Sequence, residues 1–288
     1  MTTLLTGGAS QIGLAIAKLL ANDGRNVLFA ARSGNTPTPF SAVKFDWNDI
    51  STFSNAFPEG HDIQTVYLLP QPHIVDPSKE VNSFIDLAAE KGVKRFIFLS
   101  TMATRTDGDE KFGYVKIHKY LEAKGVDHFV LQPTWFIDNF STQQGNSIRT
   151  SDQFISAMPT SKVPFISTQD IAQAAFEGII SEKNAVTEKI LIGPESLDYD
   201  EAANILSEVL GRTITHQVLP PAAIADIFKQ IGFKDDYIQM LLWLQNWSEE
   251  GGDDKILATL PKEKLFVGRV TLREWAEKNK DELKGSAA

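Results

Sequence analysis

The sequence predicts an α/β fold: a Rossmann-type, doubly wound parallel sheet with a smaller, mainly helical C-terminal domain. Three observations predict it. Short apolar runs alternate with amphipathic stretches through the first two thirds of the 288 residues, as in β–α units that feed a parallel sheet. A glycine-rich turn separates the first apolar run from the first amphipathic stretch. Beyond residue 194 the apolar spacing is mainly helical.

The predicted strands are short runs rich in β-branched and aromatic residues, which favour a buried, pleated surface. They are Thr3–Leu5, Asn26–Ala31, Val43–Phe45, Thr65–Leu69, Arg95–Leu99, His128–Leu131 and Lys189–Ile192. Gly92 and Gly125 end the helices that precede the fifth and sixth of these strands. The repeated order of strand, helix and glycine is typical of a parallel sheet.

The helices are predicted from apolar spacing and from their caps. Apolar residues at positions 12, 15, 16, 19 and 20 form one stripe of a first helix. Asp76-Pro77 provides an N-cap and a first-turn proline for another. Residues 141–164 are polar and small, which indicates an excursion away from the sheet. Later helices are predicted at Ile171–Ile180, Tyr199–Leu210, Ala222–Ile231, Asp235–Trp247 and Leu272–Leu283.

The composition excludes several kinds of site and partner. The chain has no cysteine, which removes disulfides, thiolate nucleophiles and zinc–thiolate sites and favours a reducing compartment. A formal net charge of −9 without a Lys/Arg-rich run disfavours nucleic acid. No apolar run approaches a membrane span, and the start lacks the basic region of a signal peptide. We expect a cytoplasmic protein without nucleic-acid or membrane partners. The sequence leaves the oligomeric state open, and a homodimer is one option.

Metal binding is not expected from the positions of potential ligands. The chain has no His-x-x-x-His pair and no clustered carboxylates, and its histidines are scattered, among them those at 61, 73, 128 and 216. The acidic residues at 249–250 and 253–254 surround Gly251-Gly252. We interpret them as a solvated loop, with the flank of a lid as the alternative.

The turn after the first strand is predicted to bind a pyrophosphate. Glycines let the backbone approach phosphate oxygens, and the N–H groups at the start of a helix attract an anion. Gly8 and Gly13 also have the spacing of a P-loop, but Leu14-Ala15 stands where that motif requires Lys-Ser/Thr. We therefore predict that the turn binds a dinucleotide through Thr6, Gly7, Gly8, Ser10, Gln11, Ile12 and Gly13. The alternative is a tight turn with a purely structural role.

The choice of dinucleotide depends on the end of the second strand, where NAD-binding proteins place a carboxylate on the ribose 2′-hydroxyl. This chain has Arg32-Ser33 there, so a 2′-phosphate is favoured and NADP(H) is the predicted cofactor. The alternative is that Arg32 is a solvated charge. Further cofactor contacts are predicted at the ends of later strands, from Asp46, Trp47, Leu69, Pro70, Ser100, Thr101 and Pro133. The alternative is that these residues only pack at the strand ends.

With this cofactor, the two domains can be assigned. Residues 1–140 and 165–195 are predicted to form the NADP-binding Rossmann domain. Residues 141–164 and 196–288 are predicted to form the substrate-binding lobe. A helical lobe beside the carboxyl ends of the strands would make a cleft, which is where α/β sheets bind ligands.

Several segments resemble one family along nearly the whole chain. Together with the glycine-rich start they are Phe45-Asp46-Trp47, Val66–Leu69, Gly92–Phe96, Pro133–Phe140 and Ile192–Glu195. They resemble the NmrA-like atypical short-chain dehydrogenase/reductases. Pro133–Phe140 and Thr271–Trp275 resemble in particular the fungal ergot-alkaloid branch, the agroclavine and festuclavine dehydrogenases. The resemblance implies an NADPH-dependent reductase of a small molecule in specialised metabolism. Ser10 departs from it, since many relatives have glycine there; its hydroxyl is expected either to bind phosphate or to tighten the loop.

The proton-donating dyad of short-chain dehydrogenases, Tyr-x-x-x-Lys, is interrupted in this sequence. Tyr114 is followed at the motif spacing by His118, and Lys119 lies one residue further, about 100° around a helix. We retain Tyr114, His118 and Lys119 as weak catalytic candidates; the alternatives are a packing role for Tyr114 and a solvated position for His118. A broken dyad favours hydride transfer to an iminium carbon, which requires no general acid.

The substrate is predicted to lie against Trp135, Phe136, Asp138 and Phe140, which follow the sixth strand. Aromatic faces and a carboxylate can hold an organic cation. The alternative is that these aromatic residues form the core of a domain junction. Four functions remain open: a reductase of an iminium or conjugated C=N/C=C group, a quinone or ether reductase, an NADP-bound cyclase or isomerase, and a non-enzymatic NADP sensor.

Overall fold

The computed structural model describes residues 1–104 and 112–284 of the chain. The first strands are short, and most are buried because their apolar side chains point to both covered faces of a sheet; the third, at one edge of the sheet, is exposed at both ends. They are β1 Thr2–Leu5, β2 Asn26–Ala31, β3 Ser41–Lys44, β4 Ile63–Leu68, β5 Arg95–Leu99 and β6 Asp127–Pro133. The remaining strands are β7 Gln153–Ser156, β8 Glu188–Ile192, β9 Thr215–Val218 and β10 Leu265–Val267.

Eight strands form one sheet in the order β10-β8-β6-β5-β4-β1-β2-β3, and the neighbouring pairs from β3 to β6 are parallel. A separate two-stranded parallel sheet joins β7 to β9.

The first helices are α1 Gln11–Asn22, α2 Ser78–Glu90, α3 Gly113–Lys124, α4 Asn139–Thr142, α5 Gly145–Ser151 and α6 Thr168–Ile180. The later ones are α7 Tyr199–Leu210, α8 Pro221–Gln230, α9 Asp235–Glu249, α10 Gly252–Leu257, α11 Leu272–Lys278 and α12 Lys280–Lys284, and Ile50–Ala56 and Lys262–Lys264 are 3₁₀ turns. The Rossmann-type α/β prediction is confirmed.

The chain forms two compact units. The first consists of Met1–Gln132 and Ile171–Ile190, and the second of Pro133–Asp170 and Leu191–Ala288. In the first unit, α2 and α3 bury apolar faces on the sheet in a core that includes Phe84, Phe96 and Phe98. In the second unit, α7 and α11 share a core with Phe140 and Phe154. The predicted domain boundaries stay a prediction.

The predicted strands all occur, β2 and β5 with the predicted bounds. Strands β7, β9 and β10 were not predicted from the sequence. β9 is largely exposed, and its residues lack the apolar alternation that reveals a strand. The helix predicted at Leu272–Leu283 is interrupted at Asn279, whose side-chain Nδ2 donates to Trp275 O at 2.7 Å and competes with the backbone ladder. Among the described residues, none of the helices combines the length and the apolar character of a bilayer-spanning segment.

Candidate functional site

The glycine turn between β1 and α1 has the backbone shape that a phosphate-binding loop requires. Gly7 and Gly8 have φ of +83° and +59°, a region that L side chains rarely adopt. A Cβ on Gly7 would lie 2.5 Å from the Leu69 side chain, and the Gly8 amide donates to Ala30 O at 3.1 Å. The turn is thus held by its neighbours and leads into the amino end of α1, where backbone N–H groups lack intrahelical partners.

Ser10 caps helix α1. Its Oγ accepts a hydrogen bond from the Gly13 amide at 3.2 Å, and its extended backbone is that of an N-cap residue. A Cβ on Gly13 would lie 3.0 Å from this Oγ, so the cap and the glycine fit together. In the first turn Gln11 is exposed and Ile12 is buried. Of the two roles expected for Ser10, these contacts support tightening of the loop.

The end of β2 presents a free cation. Arg32 and Ser33 are both exposed, and within residues 1–104 and 112–284 the Arg32 guanidinium has no hydrogen bond or ion pair. The Ser33 Oγ accepts from the Asn35 amide at 3.2 Å, which bends the chain after the strand. The guanidinium is therefore available to a phosphate from outside the chain.

Two of the predicted cofactor residues are occupied in holding strand ends together. The buried Thr6 Oγ1 donates to Tyr67 O at 3.0 Å and accepts from the Leu69 amide at 2.8 Å. Trp47 is only 8% exposed, and its Nε1 donates to Leu69 O at 3.1 Å. Its ring packs edge-on against Phe45. The structure thus places Trp47 in the core, and its contact with the cofactor stays a prediction.

The remaining cofactor candidates lie at the carboxyl ends of strands, at Asp46, Pro70, Ser100, Thr101 and Pro133. Asp46 is half-buried and Pro70 and Pro133 are buried. The buried Ser100 Oγ lies 3.2 Å from Thr104 Oγ1, in a turn that directly follows β5. The strand ends are where an α/β sheet binds ligands, so these placements agree with the prediction, and each residue's contact with cofactor stays a prediction.

The candidate dyad lies on α3. The half-buried Tyr114 stacks on Phe98 of β5, with ring centroids 6.1 Å apart and an interplanar angle of 18°. This contact is the packing role that was the alternative for Tyr114. Lys119 is half-buried one residue beyond the motif position.

His118 is enclosed rather than solvated, so the solvated alternative was wrong. Its side chain is 1% exposed, and its Nε2 lies 3.8 Å from Glu122 Oε1 and 4.0 Å from Glu188 Oε2. Glu188 begins β8, at the end of the strand opposite to the carboxyl edge. A catalytic role for His118 stays a prediction.

The second unit encloses a pocket with an aromatic wall, about 550 Å³ in volume including space open to solvent. Its lining consists of Trp135, Phe136, Asn139, Phe140, Gln143, Gln144, Ile155, Ser156, Phe165, Tyr199, Ile224, Phe228, Leu241 and Gln245. Three of the four predicted substrate residues are among them. None of these lining residues is charged, and the wall suits a flat apolar ring or an organic cation. We call this space the aromatic pocket.

Asp138, the fourth predicted substrate residue, is not part of that lining. Its carboxylate is 8% exposed and accepts from the Thr168 amide and hydroxyl, each at 2.8 Å. The indole Nε1 of Trp275 donates to it at 3.3 Å. These bonds occupy the carboxylate at the amino end of α6, because buried oxygens there satisfy helix N–H groups.

A chain of hydrogen bonds leads from the aromatic pocket to the surface. The buried Ser156 Oγ lies 2.7 Å from His216 Nε2, and His216 Nδ1 lies 2.9 Å from Asp200 Oδ1. The Asp200 side chain is 74% exposed, whereas that of His216 is 1% exposed. With Nδ1–H donating to the carboxylate, Nε2 accepts from the serine hydroxyl. The arrangement can pass a proton between solvent and pocket.

A buried acid lies close to Ser248 and acts on Tyr199, a residue that lines the aromatic pocket. Asp253 was expected in a solvated loop but is 2% exposed, and its Oδ2 has no hydrogen-bond partner among the described residues. Burial raises its pKa, against an opposing hydrogen bond from Ser248. The Ser248 Oγ also accepts from Trp135 Nε1 at 3.1 Å. Burial and the charge of Asp253 raise the pKa of Tyr199.

Sequence reasoning missed Ser156, Asp200, His216 and Asp253 because no local pattern joins them. The pairing of β7 with β9 sets Phe154 opposite His216, which brings the imidazole to Ser156 two residues later. That pairing joins residues about sixty positions apart in two short strands, of which β9 is largely exposed. The only signal at Asp253 was Gly251-Gly252, which allows a new helix, α10, to begin inside an acidic run.

Comparison with known proteins gives a consistent result. Residues 41–276 match the sequence model of the NmrA-like family. Agroclavine dehydrogenase of Claviceps fusiformis is 37% identical over 262 residues, which are 89% of this chain and 90% of that protein. Festuclavine dehydrogenase of Aspergillus fumigatus is 34% identical over 96% of this chain and 99% of its own length.

Solved structures share the fold at low sequence identity. An NADPH-dependent quinone oxidoreductase from Escherichia coli, complexed with NADPH, superposes with a TM-score of 0.74 at 20% identity, covering 96% of this chain and 99% of that one. A Citrobacter triphenylmethane reductase complexed with NADP(H) gives 0.72 at 15% identity, covering 92% and 93%. These likenesses concern the fold.

Proposed function

Because the chain belongs to the NmrA-like family, we propose that it is an NADP-dependent reductase that transfers a hydride to a small organic molecule. Its relatives at 34–37% identity over most of their length are named as dehydrogenases of agroclavine or festuclavine, which supports an oxidoreductase. This agrees with the resemblance found in the sequence, and it disfavours a non-enzymatic sensor.

The first unit would hold the cofactor. Gly7 and Gly8 leave room for a pyrophosphate at the amino end of α1, and the free guanidinium of Arg32 suits a 2′-phosphate. When bound, NADPH supplies a hydride. The chain's own part is to fix the turn through Ser10 and to offer Arg32 without a competing carboxylate partner.

The aromatic pocket carries the substrate proposal. Its lining offers aromatic faces and amide or hydroxyl groups but no charge, so it accepts a flat ring system and tolerates a delocalised cation through cation–π contacts. A cyclic iminium conjugated to an arene has these properties. Its reduction gives a neutral amine and needs no proton donor, which fits the interrupted Tyr114/His118 pair.

The test compares electrophiles under one set of conditions. NADPH consumption is followed by absorbance with an N-methyl dihydroisoquinolinium salt, a benzoquinone and an aryl enone. We expect turnover with the iminium salt at a higher kcat/KM than with the quinone. NADPH binding without turnover of any electrophile would indicate a sensor, and product formed without NADPH loss would indicate an isomerase.

A second function, reduction of a conjugated C=C bond, is favoured by the Ser156–His216–Asp200 chain. That reaction needs one proton at the α-carbon in addition to the hydride at the β-carbon. The Ser156 hydroxyl would give this proton and regain one from His216 Nε2, after the imidazole has taken up a proton from solvent beside Asp200. Ser156→Ala should then reduce enone turnover about 10²-fold, the lower range for a general acid, and leave iminium turnover unchanged. Equal losses with both substrates would argue against it.

A further inference from the structure

The first unit gathers two histidines and two carboxylates on its far side from the strand ends that bind cofactor. His118 and Glu122 lie one turn apart on α3, His128 is the second residue of β6, and Glu188 begins β8. One ligand atom from each of His118, Glu122 and His128 lies within 4.8 Å of the other two. Glu188 Oε2 lies 4.0 Å from His118 Nε2. Folding thus joins residues that the sequence leaves scattered.

His128 is oriented as metal-binding histidines are. Its Nδ1 lies 2.9 Å from Val126 O, so this nitrogen carries the proton and donates it to the carbonyl. The other nitrogen, Nε2, then has an unprotonated lone pair. It is buried, in a residue 7% exposed, and has no hydrogen-bond partner in the described part of the chain. A backbone carbonyl that fixes the tautomer in this way is the usual support of an imidazole that binds metal.

We propose that His118, Glu122, His128 and Glu188 form a binding site for a divalent transition metal ion, with Zn²⁺ as the ion that fits best. Two imidazoles and two carboxylates are a donor set that Zn²⁺ accepts, and the chain has no cysteine to offer instead. Donors at about 2.1 Å from a tetrahedral zinc are about 3.4 Å apart. The donors lie 3.8 and 4.0 Å apart around His118 and within 4.8 Å of one another in the His118–Glu122–His128 group, so side-chain rotations must shorten these separations when the ion binds.

The four donors also define what such a site does. They come from one helix and two strands, so a bound ion ties α3 to the amino ends of β6 and β8. Four protein ligands leave no open position, as in zinc sites that stabilise a fold rather than activate water. Three of the side chains are 1%, 7% and 14% exposed, and the half-exposed Glu122 gives the ion access from solvent.

The test uses the untagged full-length protein, stripped with EDTA and dialysed. Zn²⁺ is titrated by calorimetry, and bound metal is counted by mass spectrometry after gel filtration. We expect one zinc per chain and a rise in Tm of roughly 5 °C when free zinc is about 100-fold above the Kd. Bound Co²⁺ should show the visible absorption of a tetrahedral site.

Variants separate this site from unspecific binding. His128→Gln and the milder Glu122→Gln, at a half-exposed position, should each weaken zinc binding at least about 100-fold, since even outer-shell changes cost 10- to 100-fold. His61→Gln, an exposed histidine outside the cluster, is the matched control and should bind as the wild type. Zinc binding unchanged in Glu122→Gln, or no zinc retained by the wild type, overturns the proposal and leaves a buried imidazole paired with carboxylates.

Discussion

Asp138 and Thr168 form a two-point contact: one carboxylate oxygen accepts from the threonine amide and the other from its hydroxyl, both at 2.8 Å. Thr168 is the first residue of α6, so Asp138 satisfies a helix N–H that would otherwise be buried without a partner. The residue expected to hold a substrate cation is thereby occupied within the protein.

Replacement of Asp138 by asparagine should therefore lower stability. The amide would turn an N–H group toward a donor, and the unmet hydrogen bond should lower the free energy of unfolding by about 1–3 kcal/mol. Urea denaturation measures this loss. A counter-ion for substrate would instead raise KM for an iminium salt and not for a neutral enone, so we expect the KM values of the two substrates to keep their ratio.

The parallel sheet could be predicted from the sequence because its strands are buried on both faces and form continuous apolar runs, as in Arg95–Leu99, which is buried throughout. The glycine turn after β1 could be predicted because its residues are eight consecutive ones, and its contact with phosphate stays a prediction. The polar chain at His216 could not, because it depends on the register of two short strands. The sequence singled out Asp138 and Trp47, but it could not predict their hydrogen bonds to Thr168 and Leu69. These partners are distant in sequence.

Arg32 should determine the preference for NADPH over NADH. Its guanidinium has no partner in the described chain, so its removal costs no internal contact and acts only on a ligand. Arg32→Ala should weaken NADPH binding at least about 10-fold, the effect of one charge-assisted hydrogen bond of roughly 1.5–3 kcal/mol, and leave NADH binding unchanged.

Fluorescence titration with both cofactors checks the prediction for Arg32. Arg25→Ala is the control, since Arg25 is also exposed and, among the residues that the structure describes, pairs with its neighbour Asp23 at 2.7 Å. Equal NADPH and NADH affinities in the wild type would show that the end of β2 does not read the 2′-phosphate.

Tyr114 should act in packing rather than as a proton donor for an iminium substrate. Its ring stacks on Phe98, a contact that phenylalanine preserves. Tyr114→Phe should keep kcat with the iminium salt within about 3-fold of wild type, whereas loss of a general acid costs 10²-fold or more. Tyr120→Phe, on the same helix, is the control for loss of a tyrosine hydroxyl, because that hydroxyl donates to Asp86 at 2.5 Å. A large loss specific to Tyr114→Phe would point to carbonyl chemistry.

Asp253 should make stability depend on pH. Burial raises the pKa of its carboxyl in the folded state above the usual 3.8, so the folded chain holds this proton more tightly than the unfolded chain does. As pH rises from about 4, the unfolded chain ionises first, and the folded state loses stability until the buried group has also ionised. Asp253→Asn removes this loss because an amide does not ionise. The variant should match the wild type near pH 4 and exceed it by about 1–3 kcal/mol in free energy of unfolding at neutral pH. Asp254→Asn, at the exposed neighbouring position, removes a charge that also raises the pKa of Asp253, so it should show a smaller gain over the same pH range. Urea denaturation at several pH values measures both, and a gain for Asp253→Asn that is constant from pH 4 to 8 would mean that the carboxyl ionises normally.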